Sequence, residues 1–90
     1  MPSRRYAITF KPSAGRAFDR LPADAKKRVA AVIDDLASDP RPRGVSKLAG
    51  ETDLFRIRAG DYRVIYQIQD RELLVLVVRI GHRRDVYRDR

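Results

Sequence analysis

The sequence has no cysteine, no tryptophan and one histidine, and lysine supplies only four of its 20 cationic side chains. Without cysteine there is neither a disulfide framework nor a thiolate metal site, and one histidine among scattered carboxylates offers no metal-ligand spacing. No metal and no other cofactor is therefore expected. The longest apolar run, Leu73 to Val78, is far short of the roughly 20 residues that span a membrane as a helix. The opening Met1-Pro2-Ser3-Arg4-Arg5 leads into no apolar signal segment, so a soluble, cytoplasmic protein without membrane attachment is expected. A chain of 90 residues buries roughly two-thirds of its unfolded surface, enough for one core and not two. A single domain over residues 1–90 is expected, and a multi-domain enzyme is excluded.

What the chain has in abundance is arginine. Sixteen arginines and four lysines against 12 acids leave a net charge of +8 and a pI near 10.6. The guanidinium is a planar fork of donors matched to phosphate, which makes a phosphate-bearing polyanion the natural partner, although a solvated basic surface has the same composition. Position along the chain has to separate the two.

Tyr6 to Phe10 alternates as a short strand, and Lys11-Pro12-Ser13 breaks it and presents Ser13 as a helix N-cap. Ala14, Ala17, Phe18 and Leu21 recur at helical spacing up to Leu21-Pro22. A second helix follows with Pro22 in its first position, Asp24 at the positive end of the dipole, and Val29, Val32, Ile33 and Leu36 on one stripe. The two helices are expected to form a hairpin packed on itself and on a shared sheet. Ser38 to Gly44 holds two prolines and a glycine and reads as a loop. Leu54–Arg58, Tyr62–Gln69 and Leu73–Ile80 read as three strands, joined by turns at Ala59-Gly60-Asp61 and Asp70-Arg71-Glu72 and ended by Gly81. The last strand is apolar on both faces, as a central strand requires. The expected fold is α+β: an N-terminal strand, a helical hairpin and a three-stranded antiparallel meander in one sheet.

Strand alternation puts Arg56 and Arg58 on one sheet face and Phe55 and Ile57 on the other, and the following turn brings Arg63 beside the pair. Such a cluster persists either because acids such as Asp61 and Glu51 neutralise it or because an anion binds there. Directly after the last strand, Gly81-His82-Arg83-Arg84-Asp85-Val86-Tyr87 gathers an imidazole, two guanidiniums, a carboxylate and a phenol. With the arginine face, these residues have the makings of a ribonuclease: guanidiniums for phosphate and its developing charge, a tyrosine to stack on a base, a histidine for proton transfer.

Leu54-Phe55-Arg56-Ile57-Arg58, Gly60-Asp61-Tyr62-Arg63-Val64-Ile65-Tyr66 and Val77 through Tyr87, together with the Asp39-Pro40 loop and Lys47-Leu48-Ala49-Gly50, resemble the RelE/ParE toxin superfamily over nearly the whole chain. The resemblance implies a RelE-like fold and a toxin held inactive by a small acidic, RelB-like antitoxin, in a complex that is a heterotetramer or larger. In the RelE-like branch it implies a ribosome-dependent mRNA endonuclease acting by metal-independent attack of a 2′-hydroxyl, with the ribosome and mRNA as partners. In the ParE-like branch it implies inhibition of DNA gyrase, and a third reading is an inactive antitoxin-binding module. The RelE pattern carries over to Arg56, Arg58, Arg63, Arg83 and Tyr87. With His82 added for proton transfer, Arg63, Arg83, Tyr87 and His82 are the catalytic candidates, and Arg56, Arg58 and Lys47, the last from the matching Lys47-Leu48-Ala49-Gly50 stretch, are the substrate-binding candidates. Nucleases of that branch carry lysines where this sequence has Arg56 and Arg58, and an arginine does not give up its proton.

Overall fold

A computed structural model of the chain describes residues 5–48 and 54–82. Its elements run β1 (Ala7–Phe10), α1 (Pro12–Asp19), α2 (Ala23–Ser38), β2 (Ser46–Lys47), β3 (Leu54–Ala59), β4 (Tyr62–Gln69) and β5 (Leu74–His82). The fold is α+β, as the alternation and helical spacing imply. The sheet holds five strands in the order β1-β5-β4-β3-β2, one more than expected. The addition is β2, two residues recognisable only by their pairing: Ser46 lies beside Arg56 and Lys47 beside Phe55.

β5 is central. It runs antiparallel to β4 along its whole length and parallel to β1 through Leu74–Val77, with Val75 and Val77 fully buried. α1 packs mainly on β5, and α2 on β1, β3 and β4, so both helices face the sheet. As expected of the helical hairpin, both helices bury their stripes on a shared sheet, and they pack more on the sheet than on each other. Their apolar stripes, Ala14 from α1 and Val29, Ile33 and Leu36 from α2, meet Val64, Tyr66, Ile68, Val75, Val77 and Ile80 in a single core.

Several boundaries differ from the sequence reading for local reasons. Helix α1 begins at Pro12, with Lys11 in the cap position and no side-chain cap bond. Proline's fixed φ suits the first turn, and this places Ser13 inside the helix, where it cannot cap. Pro22 precedes α2 in extended backbone (φ −57°, ψ 152°), so the helix starts at Ala23. Leu73 belongs to the turn before β5: its φ is +52°, and its amide donates to the Asp70 carbonyl at 3.2 Å. Gly81 does not end β5, which continues to His82.

The β3–β4 turn has two residues, since Ala59 pairs with Tyr62. Gly60 takes φ +64°, the requirement of the first central position in a II′ turn. This register sets Arg58 directly opposite Arg63. The β4–β5 pairing contains a bulge: Ile65 pairs with Arg79 and Tyr66 with Val77, leaving Val78 as the extra residue. Beyond a bulge, the alternation of side chains reverses its assignment to the two faces.

Candidate nucleic-acid interface

Both helices lie on one side of the sheet, and the other side is where the arginines collect. Across β3, β4 and β5, one row of paired residues is Arg58, Arg63 and Gly81, and the next is Arg56, Ile65 and Arg79. Ser46 of β2 extends the second row. Ile65 is buried although it faces away from the helices, flanked on the ladder by Arg56 and Arg79, whose aliphatic stems suit them to shelter it. Arg79 reaches this face only because of the bulge. Strict alternation from Val75 and Val77 would have turned it toward the helices.

A cavity of about 380 Å³ opens beside these rows, lined by Arg43, Gly44, Ser46, Arg56, Arg58 and Arg63, with Ile57 at its wall. Arg43 comes from the loop between α2 and β2, remote in sequence from β3 and β4. The Val45 amide donates to the Pro42 carbonyl at 3.2 Å and Gly44 has φ +91°, which together make a type II turn with Arg43 at its first corner. Among the described residues, arginine is the only cationic residue type lining the cavity. Such a wall can hold and polarise an anion, but its described residues include no group that exchanges a proton near neutral pH.

The loop before that turn is pinned residue by residue. The Arg41 amide donates to Asp39 Oδ1 at 3.1 Å, and the buried Tyr66 hydroxyl donates to the Pro40 carbonyl at 2.6 Å. The Arg41 guanidinium donates to both oxygens of Asp70, at 3.2 and 2.9 Å, and lies 5.6 Å from the Phe55 ring centroid. The Tyr6 hydroxyl also donates to Asp70, at 2.7 Å. These donors, Arg41 first and Tyr6 second, hold the Asp70 carboxyl at about 2. The bond to Asp70 raises the Tyr6 phenol, and burial raises that of Tyr66.

The chain is similar to known proteins of one kind. A family model described as the ParE toxin of type II toxin-antitoxin systems matches residues 8–87. Toxin RelG of Mycobacterium tuberculosis is 32% identical over 87 residues, which cover 92% of this chain and 97% of RelG. The archaeal RelE–RelB complex of Pyrococcus horikoshii contains a chain of similar structure, with a TM-score of 0.77 at 31% identity, covering 88% of this chain and 96% of that one. The mRNA interferase toxin RelE of Escherichia coli is 26% identical over 80 residues, 87% of this chain and 83% of its own. The chain belongs to the RelE/ParE superfamily of type II toxins.

Within this toxin, the residues that the sequence singled out do not all meet. Arg56, Arg58 and Arg63 share the helix-free face and line one cavity. Lys47 does not join them: it pairs with Phe55, on the helix side of the sheet, and it is absent from the cavity wall. His82 is also on the helix side, paired with Tyr62, and its ring meets the Tyr62 ring edge-on at 5.5 Å between centroids. The bulge that brings Arg79 to the arginine face turns His82 away from it. Arg83 and Tyr87 lie outside the described residues, as does Glu51. Asp61 sits exposed in the β3–β4 turn. Sequence reasoning missed Arg43 and Arg79: the first because a loop residue has no period to read, the second because a bulge is invisible to strict alternation.

Proposed function

We propose that this toxin is an endoribonuclease that cuts mRNA on the ribosome by metal-independent transesterification. The 2′-hydroxyl oxygen attacks the adjacent phosphorus in line. The P–O5′ bond breaks, leaving a 2′,3′-cyclic phosphate and a 5′-hydroxyl. Arg56, Arg58 and Arg63 bind the phosphates of the strand, Arg83 stabilises the charge developing on the scissile phosphate, and Tyr87 stacks on a base. The observation that carries this reading is the arginine-lined cavity on the helix-free face of the sheet, in a chain similar to an mRNA interferase toxin. Positioning and fixed positive charge suffice for large accelerations, since a single well-placed donor to developing charge is worth about 10²–10³ in rate. Because His82 packs on Tyr62, proton transfer falls to a group outside this cavity or to the ribosome itself.

The partner that keeps such a toxin harmless is a small acidic, RelB-like antitoxin, assembled with it as a heterotetramer or larger. The archaeal relative was crystallised as a RelE–RelB complex, and a net charge of +8 favours an acidic partner. Residues 1–90 act as one domain, and its place of work is the cytoplasm, where the ribosomes are. No helix among the described residues is long and apolar enough to cross a membrane.

A second reading is inhibition of DNA gyrase without chemistry. It is favoured by the ParE description of the matching family and by a cavity whose cationic groups, among the described residues, are all guanidiniums. Primer extension on a translated reporter mRNA, run beside a gyrase supercoiling assay, separates the two. Cuts within codons with supercoiling unaffected are expected. Intact mRNA with blocked supercoiling would select the gyrase reading.

A further inference from the structure

We propose that Arg43 is a fourth phosphate-binding residue of the arginine cavity, and that Arg41, through its bond to Asp70, is the positioning residue that fixes it there. The inference rests on the nuclease reading above and adds to the site a loop that sequence pattern does not reveal.

Arg43 is exposed, yet its backbone is not free to wander. On its C-terminal side, Ser46 is tied to the sheet by its pairing with Arg56, and the Pro42–Val45 turn closes at 3.2 Å. On its N-terminal side, four consecutive constraints hold the chain: the Asp39 carboxylate on the Arg41 amide, Tyr66 on the Pro40 carbonyl, Asp70 on the Arg41 guanidinium, and the Phe55 ring beneath that guanidinium. Pro42 then fixes φ at one further bond. The side chain that emerges between these anchors is a guanidinium on the wall of a cavity already holding three others.

A fourth like charge on that wall adds repulsion among the guanidiniums. An anion that spans several of them reverses the sign. A loop whose only purpose was to connect α2 to β2 would not need such anchoring. Preorganisation has a clear benefit for a ligand, since the ordering entropy of a long, rotamer-rich arm is reduced before binding. The geometry suits a polyanion with charges spaced along its length, as in single-stranded RNA, where the strand residues take some phosphates and the loop residue another.

Arg41 and Arg43 are separated by one residue but have different duties. Arg41 is engaged by Asp70 in a bidentate pair, whereas Arg43 faces the cavity. Removing Asp70 should therefore weaken RNA binding only through Arg43, a dependence that a general loss of stability does not imitate.

The test is the affinity of the full chain for a single-stranded RNA oligonucleotide, followed by fluorescence anisotropy over a series of salt concentrations. Four phosphate contacts imply a slope of log K against log salt of about −2.8, from about −0.7 per phosphate on a single strand. Arg43→Gln is expected to flatten it to about −2.1 and to weaken binding roughly tenfold at low salt. Arg43→Lys should restore the slope. Asp70→Asn should weaken binding several-fold in the natural sequence and hardly at all beside Arg43→Gln. If RNA binds the natural chain and Arg43→Gln changes nothing, the inference fails while the nuclease reading stands. An equal effect of Asp70→Asn in both backgrounds overturns the positioning role. Loss of affinity for polyglutamate without loss for RNA assigns Arg43 to a protein partner and also overturns it. A natural chain that neither binds nor cuts RNA removes the nuclease reading itself, and the inference with it.

Discussion

Arg58 and Arg63 stand directly opposite each other on the β3–β4 ladder, two positive charges in the position where sheets usually place complementary partners. Like charges across a ladder destabilise by roughly 0.2–1 kcal/mol, a cost that an anion bound as proposed above would offset. Arg58→Gln is expected to leave the melting temperature unchanged or slightly raised while cutting mRNA cleavage ten- to a hundredfold, the worth of one charge-assisted hydrogen bond at about 1.5–3 kcal/mol. Calorimetry beside primer extension checks it. Parallel losses of stability and activity would mean that Arg58 is structural.

Tyr87 lies in a segment for which only the superfamily resemblance assigns a role, so its prediction concerns chemistry. If the ring stacks on a base, Tyr87→Phe retains most growth inhibition in an expression strain and Tyr87→Ala loses it. Equal loss in both would give the role to the hydroxyl.

Asp70 makes stability depend on acid. Its carboxyl is held at about 2, against 3.8 for the free side chain, so its contribution is complete above about pH 4 and disappears as the pH falls through about 2. Asp70→Asn should melt below the natural chain at neutral pH, and the two melting curves should converge toward about pH 2. A constant gap at every pH would show that the carboxylate charge is not what holds the loop.

Tyr66→Phe removes the hydroxyl that donates to the Pro40 carbonyl at 2.6 Å, in a buried setting. The orphaned carbonyl should cost about 1–3 kcal/mol, a drop of at least several degrees in melting temperature for a chain of this size. Burial raises the Tyr66 phenol, so its bond lasts well past the pH at which an exposed tyrosine ionises.

Gly60 combines two constraints. A Cβ there would force positive φ on an L-residue and would lie 2.6 Å from Arg28 Nη1 and 2.7 Å from Arg28 Cδ. Gly60→Ala should cost roughly 1–2 kcal/mol from the backbone alone, plus the displacement of Arg28. Adding Arg28→Ala should recover the second part and not the first, as chemical denaturation of the double variant would show.

The sheet was legible where its physics is periodic. Phe55 and Ile57 against Arg56 and Arg58, and the two-faced apolar run of β5, follow from alternation alone, and Val29, Ile33 and Leu36 mark the buried stripe of α2. What escaped was set by tertiary pairing. Ser46–Lys47 is a strand only because β3 lies beside it. Leu73 adopts positive φ because the turn demands it. The largest departure is His82. A single bulged residue, Val78, exchanges the faces of everything after it in β5, so a histidine adjacent in sequence to a basic cluster turns to the opposite side of the sheet and Arg79 takes the site side. Arg43 belongs to the same class, because a turn corner acquires its neighbours only when the loop is docked.

The placement of β5 also bears on how the chain is made. Every other described strand precedes it in sequence, yet it lies between β1 and β4 and carries the fully buried Val75 and Val77. During synthesis β1 has no sheet to join and the helices have half a floor to pack on. The long-range closure that completes the core is slow by nature and waits for residues 74–82 to emerge. Until then Arg79 is missing from the arginine face and the core lacks Val75, Val77 and Ile80. An antitoxin would have that interval in which to be present before the toxin is folded.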